Sequence, residues 1–252
     1  MIKGMPKESK KQMGFRIFFY AVGLLILALG LTLNTKAGLG VSAIISVSYC
    51  VSVVSGQNFG NTTFVMYGIF VAIEIVLHMI RVGKYEKMED GVLEHAGRKD
   101  RWLILLMDVL QLPLSLVFTR FLNVFSDLIP QIASGETTPG AYTLRLVVLI
   151  VAIILTGVGA AMSLNMRIVP NPGDGVVQAI ADCIHKNVGF TKNCFDLVNI
   201  TISTLVGLLA IGRLAGVGIG TVFAVIGVGR AIAVFNHFTY DKMAELSGTG
   251  EE

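Results

Sequence analysis

The sequence predicts an all-α integral membrane protein, a polytopic helix bundle of two repeats, each with three full spans and one short re-entrant or broken helix. Three observations predict it. The composition is too apolar for water, several segments are long and apolar enough to cross a bilayer, and positive charge gathers on one side only if two further apolar segments do not cross.

Hydrophobic residues make up 54% of the 252, and Asp, Glu, Lys and Arg only 15%, where an average soluble domain carries about 25% charged residues. So few charges cannot cover a water-soluble fold of this size, and the mean hydropathy of +0.72 agrees. A net charge of +3 and 8% aromatics argue against a nucleic-acid-binding domain and against disorder, and three cysteines are too few for a disulfide scaffold. The 28 glycines suit helices that pack closely in lipid.

A spanning helix needs about 20 predominantly apolar residues. Residues 17–35 carry no charge and follow the basic Lys7, Lys10, Lys11 and Arg16. Without a clean small-x-small cleavage site they read as a permanent helix, not a signal peptide. From Ala37 to Ile73 run 37 uncharged residues, split by the turn-like Ser55-Gly56-Gln57-Asn58-Phe59-Gly60-Asn61. The split leaves a short serine-rich piece, Leu39 to Val54, and a span from about Thr63 to Ile80 that contains Glu74. After a charged loop at 81–101 comes a helix from Trp102 through Phe125 with Asp108, Gln111, Pro113 and Arg120. Leu146 to Met166 is a clean span. Segment 168–190 opens Val169-Pro170-Asn171-Pro172-Gly173-Asp174-Gly175 and includes Asp182, His185 and Lys186, which suits lipid poorly. Spans at about 195–212 and 214–236 close the order.

The chain resembles itself. Leu33-Asn34 and Leu164-Asn165 each end a span and lead through a break into Gly40-Val41-Ser42-Ala43-Ile44 and Gly175-Val176-Val177-Gln178-Ala179-Ile180. Each half closes on an arginine followed by Phe, Arg120 to Phe125 and Arg230 to Phe235. The organisation expected is a cytoplasmic tail at 1–14, a first repeat at 15–128, an extracytoplasmic linker at 129–140, a second repeat at 141–238 and a cytoplasmic tail at 239–252. If all eight apolar segments crossed, Lys and Arg would divide evenly between the two sides. With 38–56 and 171–190 re-entrant, fifteen fall inside and three outside, the bias that cytoplasmic loops show. The two halves are then inverted in the membrane, an arrangement typical of transporters. Eight full spans are the alternative.

Irregular backbone at membrane depth is tolerated only where protein buries it or it lines a watery cavity. The breaks therefore mark a candidate substrate site, made of Asn34, Gly38, Gly40 and Ser42 in the first half and Asn165, Asn171, Gly173, Asp174 and Gly175 in the second. Asp174 is the expected N-cap of the second short helix. Free N–H groups at helix starts favour anionic or carbonyl-bearing groups, and inversion would bring the two starts together near the midplane. Plain loops between full helices are the bland alternative. Arginines inside a span are costly and raise a functional hypothesis, so Arg230, with sixteen uncharged residues before it and ten after, joins the candidate site. Arg120 joins it too, or snorkels to the outer interface. Glu74, Asp108 and Gln111 are candidates for proton coupling, with a helix-orienting salt bridge as the structural alternative.

No P-loop and no Gly-x-Ser-x-Gly motif occurs. The four histidines are scattered and Cys50, Cys183 and Cys194 have no ligand spacing, so no catalytic residue, metal site or cofactor is expected. Asp182 and His185 read as a polar face.

The string Asn34-Thr35-Lys36-Ala37-Gly38-Leu39-Gly40-Val41-Ser42 closely resembles the signature after the first helix of the YczE/YitT-type bacterial membrane proteins. Leu110-Gln111-Leu112-Pro113 with Phe118, and Gly220-Thr221 with Gly229-Arg230, resemble further motifs of that family, over about 15–236. Members often continue the first motif with Pro-x-Asp; this chain has Ala43-Ile44-Ile45. The resemblance implies a multi-spanning inner-membrane protein of suspected transport function and supplies no catalytic residues.

Together these readings predict a secondary transporter or exporter of a small organic solute, an anionic one being the option that the helix starts favour, working by alternating access in the plasma membrane, with both termini cytoplasmic. Its expected partners are then lipid and the solute and no nucleic acid, with a homo-oligomer left open. A non-transporting scaffold or regulatory membrane protein is the alternative, and a membrane-embedded enzyme a distant third.

Overall fold

A computed structural model describes residues 10–88, 96–133 and 138–249, with side chains described outside 81–101. Parts of the expected tails, of the 81–101 loop and of the linker lie outside these residues. Among the described residues the chain forms eight helices in the order α1 Lys10–Ala37, α2 Ala43–Ser55, α3 Phe59–Met88, α4 Ala96–Leu128, α5 Pro139–Asn165, α6 Pro172–Ile184, α7 Val188–Ile211 and α8 Ile219–Ser247. No strand occurs among them.

Six of the helices are long and apolar enough to cross a membrane. The other two, α2 and α6, have 13 residues each, about 20 Å at 1.5 Å per residue, well short of a hydrocarbon core of about 30 Å. Six spans and two short helices therefore replace the eight-span alternative.

Packing starts from α1 and α5, which cross backbone to backbone. A Cβ on Gly23 would lie 2.8 Å from Ser163 N, one on Gly30 would lie 2.5 Å from Thr156 N, and one on Gly159 would collide with Leu27 N. Small residues at such a crossing maximise dispersion contact where lipid leaves no hydrophobic drive between helices. Around this pair, α2 packs on α7 and α3, α6 on α3 and α7, α4 on α1 and α3, and α8 on α5 and α1.

Each break satisfies its backbone from a distant element, as a dry environment requires. The first takes its partners from the loop before α8 and from the first turn of α8: Val41 N donates to Gly216 O at 2.7 Å, and Gly220 N to Leu39 O at 2.7 Å. Gly40 has φ +116°, and a Cβ there would lie 2.7 Å from Gly218 N, so both the conformation and the space demand glycine. The second break is tied to α1. Arg16 Nε donates to Met166 O at 2.7 Å, Arg16 Nη2 to Arg167 O at 3.1 Å, and the Tyr20 hydroxyl to Val169 O at 3.0 Å.

Two local expectations change. The N-cap of α6 is Asn171, whose side chain accepts from Gly173 N at 3.2 Å, and Asp174 sits in the first turn. Pro172 explains the shift, since its fixed φ and missing N–H suit the first helical position and leave the residue before it to cap. The expected tail from 239 is instead the end of α8, where Met243 is buried against Tyr20, Met162 and Met166. Apolar residues at 238, 243 and 246 carry the helix past the span expected to end at about 236, as far as Ser247.

In α2, buried Ser46, Ser48 and Ser52 donate to the carbonyls of Ala43, Ile45 and Tyr49 at 2.7, 2.9 and 2.8 Å. Their hydroxyls are thereby satisfied within the helix. This allows a serine-rich segment to sit inside the bundle.

Candidate functional site

The starts of α2 and α6 meet, and what lies between them is apolar. A Cβ on Gly173 would lie 2.6 Å from Ile44 Cδ1. Val41, Ile45, Val176, Val177 and Phe70 are all buried in one cluster there. A packed plug occupies the place where the sequence suggests a ligand.

Beside the plug opens a cavity of about 860 Å³, within the range typical of small-molecule sites. Its wall comes from α3, α4, α6 and α7, with Leu164, Pro170 and Ile232 completing it. Leu103, Leu164 and Val188 are exposed lining residues. Against this mostly apolar lining stand Glu74, His78, Asp108, Gln111, Asp174, Gln178 and Lys192.

The polar groups are closely arranged. Gln111 Nε2 donates to Glu74 Oε1 at 2.9 Å, and His78 Nδ1 lies 2.8 Å from Asp108 Oδ2. Glu74, Asp108 and Gln111 are buried, whereas the His78 side chain is 19% exposed. One donor atom from each of Glu74, His78 and Asp108 lies within 4.8 Å of the others, a set whose atom types could hold a metal ion. Glu74 Oε2 and Gln111 Oε1 are buried with no hydrogen-bond partner. Helix α6 comes close enough here that a Cβ on Gly175 would lie 2.6 Å from Glu74 Oε2. Lys192 pairs with Asp196 at 3.7 Å along α7.

A model described as a family of unknown function, DUF6198, matches residues 14–89 and 95–237. The chain belongs to this family. No curated protein and no solved structure matches it. In this DUF6198 protein the cavity brings together five residues singled out in the sequence, Glu74, Asp108, Gln111, Asp174 and Gly175.

The others lie elsewhere in the DUF6198 chain. Gly38, Gly40 and Ser42 belong to the break that packs on the start of α8. Asn34 is buried with neither amide atom partnered, and Asn165 Nδ2 donates to Asn236 Oδ1 at 2.9 Å. Asn171 caps α6, and Gly173 faces the plug. Arg120 is exposed and donates to Asn61 Oδ1 at 3.0 Å. Arg230 is exposed in a separate apolar groove of about 640 Å³ between α5 and α8.

His78 and Lys192 were not legible as site residues. The signal for His78 is its position four residues after Glu74, which places both on one helix face. Asp108 comes from the next helix, so no local spacing reveals the third member.

Proposed function

We propose that this DUF6198 protein is a secondary transporter of a small solute and that the cavity between α3, α4, α6 and α7 is its substrate path. The observation that carries the reading is that cavity, about 860 Å³ in volume, with buried carboxylates and the buried Gln111 amide on its wall and an apolar plug beside it. A scaffold has no need of such a polar cavity at membrane depth, where buried ionisable groups are costly.

Three further features support the reading. Helix lengths run long, short, long, long in both halves. Exchanging α1 to α4 with α5 to α8 carries the α2/α7 packing into α6/α3, α1/α4 into α5/α8, and α2/α3 into α6/α7, while the extensive α3/α4 packing has no comparable α7/α8 counterpart. This partial correspondence supports reading the halves as an inverted repeat, the kind of architecture whose halves rock about a shared site in transporters. The resemblance to the YczE/YitT-type proteins also fits. With the N-terminus cytoplasmic, the cavity opens to the cytoplasm and the plug of Val41, Ile45, Val176 and Val177 closes the far side.

Three carboxylates against Lys192 and His78 favour a cation or a hydrogen-bond-donating solute over the anionic group that helix starts alone would suggest. Glu74 and Asp108 supply ion coupling. Chemistry on a covalent substrate is not part of this reading.

The test is accessibility from both faces. In a chain lacking Cys50, Cys183 and Cys194, Gln178→Cys places a thiol on the cavity wall. An impermeant maleimide should label it in inverted vesicles and, more slowly, in right-side-out vesicles. Labelling from one face only, however long the exposure, would mean a fixed pocket and overturn alternating access.

A further inference from the structure

We propose that Glu74, His78 and Asp108, with the amide oxygen of Gln111, form a binding site for one divalent first-row transition-metal ion on the cavity wall. The inference deepens the transport reading by naming the ion of the same cavity, and it rests on that reading only for the ion's role as coupling ion or cargo.

The unpartnered atoms set the chemistry of the ligand. Glu74 Oε2 and Gln111 Oε1 are both buried without a partner, and both are acceptors. What they lack is a cation or a donor; an anion would worsen their position. Gln111 cannot turn to relieve this, because its Nε2 is already committed to Glu74 Oε1 at 2.9 Å. A second unsatisfied acceptor therefore belongs to a residue outside the carboxylate and imidazole cluster that lines the same cavity.

The donor set narrows the cation. Two carboxylates balance the charge of a dication, so the loaded site is close to neutral within the bundle. Imidazole nitrogen favours Mn²⁺, Fe²⁺, Co²⁺, Ni²⁺ or Zn²⁺ over Mg²⁺ and Ca²⁺, which prefer an all-oxygen shell. Donors at about 2.0–2.2 Å from an ion lie about 3–3.5 Å apart. The observed spread of up to 4.8 Å thus closes by side-chain shifts of about 1 Å. His78 and Glu74 are one helical turn apart on α3, and Asp108 faces them from α4, so no backbone rearrangement is needed. The open cavity leaves room for water or solute to complete the shell.

Equilibrium dialysis of the purified full chain in detergent, with Mn²⁺ and separately Zn²⁺, tests the site. One ion per chain should bind saturably, and Co²⁺ should give the visible absorption of a low-symmetry nitrogen and oxygen site. Glu74→Gln and Asp108→Asn keep shape and should each weaken binding about tenfold or more, as should His78→Ala; His237→Ala should leave it unchanged. Size-exclusion elution and thermal unfolding identify any variant that does not fold, and the two isosteric variants keep the test open if His78→Ala is one of them. Absence of saturable binding, equal affinity in the folded variants, or binding of methylammonium in place of metal would overturn the proposal. Metal binding without two-sided labelling of Gln178→Cys would leave the site standing and remove the transporter.

Discussion

Gly175 on α6 faces Glu74 on α3 so closely that a Cβ there would lie 2.6 Å from Oε2 and 2.8 Å from Oε1. The glycine is thus the space in which the carboxylate sits. Because the colliding atoms are the far end of a side chain, Gly175→Ala is accommodated by rotating Glu74 and not by separating the helices. The expected outcome is a folded protein, destabilised by about 1–3 kcal/mol as in other overpacked sites, with markedly weaker Mn²⁺ binding. Thermal unfolding and dialysis on the same preparation check both halves. Unchanged binding would show that Glu74 reaches the ion from another position.

The crossing of α1 and α5 makes a contrasting prediction. At Gly159 the obstacle is backbone, Leu27 N and Gly23 O, which cannot move without parting the two helices. Gly159→Val should cost more than 3 kcal/mol or abolish the monodisperse species. Gly68 on α3 has nothing within 4 Å of a built Cβ, and Gly68→Ala should leave stability unchanged or slightly raised. Unfolding in detergent compares the pair directly.

Orientation has its own test. The charge bias predicts that the end of α4 lies outside the cell and the end of α8 inside. In intact cells carrying a chain without native cysteines, Asp127→Cys should react with an impermeant thiol reagent and Lys242→Cys should not. The opposite pattern would invert the topology and turn the cavity to face outward.

How much of this was legible follows from what lipid does to a sequence. Helix number came through because crossing length is a hard constraint, and the one-sided Lys/Arg distribution marked 38–56 and 171–190 as segments that do not cross. The site was half legible. Glu74, Asp108 and Gln111 stand out because polar groups are rare in spans, but Arg120 and Arg230 stand out for the same reason, and they lie on exposed faces. Lipid and protein interior are equally apolar, so hydrophobic periodicity does not say which face of a spanning helix points inward. His78 was missed because a single histidine near the end of an apolar span carries little cost, and its significance appears only when α4 brings Asp108 beside it.

The pair Gln111 and Glu74 allows a thermodynamic test of the site. Gln111 Nε2 donates to Glu74 Oε1 at 2.9 Å, and both side chains are at most 3% exposed. Removing the donor alone, in Gln111→Leu, leaves a buried carboxylate with neither oxygen bonded to the amide and should destabilise by about 1–3 kcal/mol. Replacing both, in Glu74→Leu with Gln111→Leu, removes the stranded acceptor together with its donor. The double variant should then be more stable than Gln111→Leu alone, because well-packed apolar residues often equal or exceed a buried polar pair in stability. It should also bind no metal. The four unfolding free energies form a double-mutant cycle whose coupling should be about 0.5–3 kcal/mol if the contact exists in the membrane protein in solution. A coupling near zero would show that the two side chains act independently, and the acceptor geometry on which the ion site depends would lose its footing.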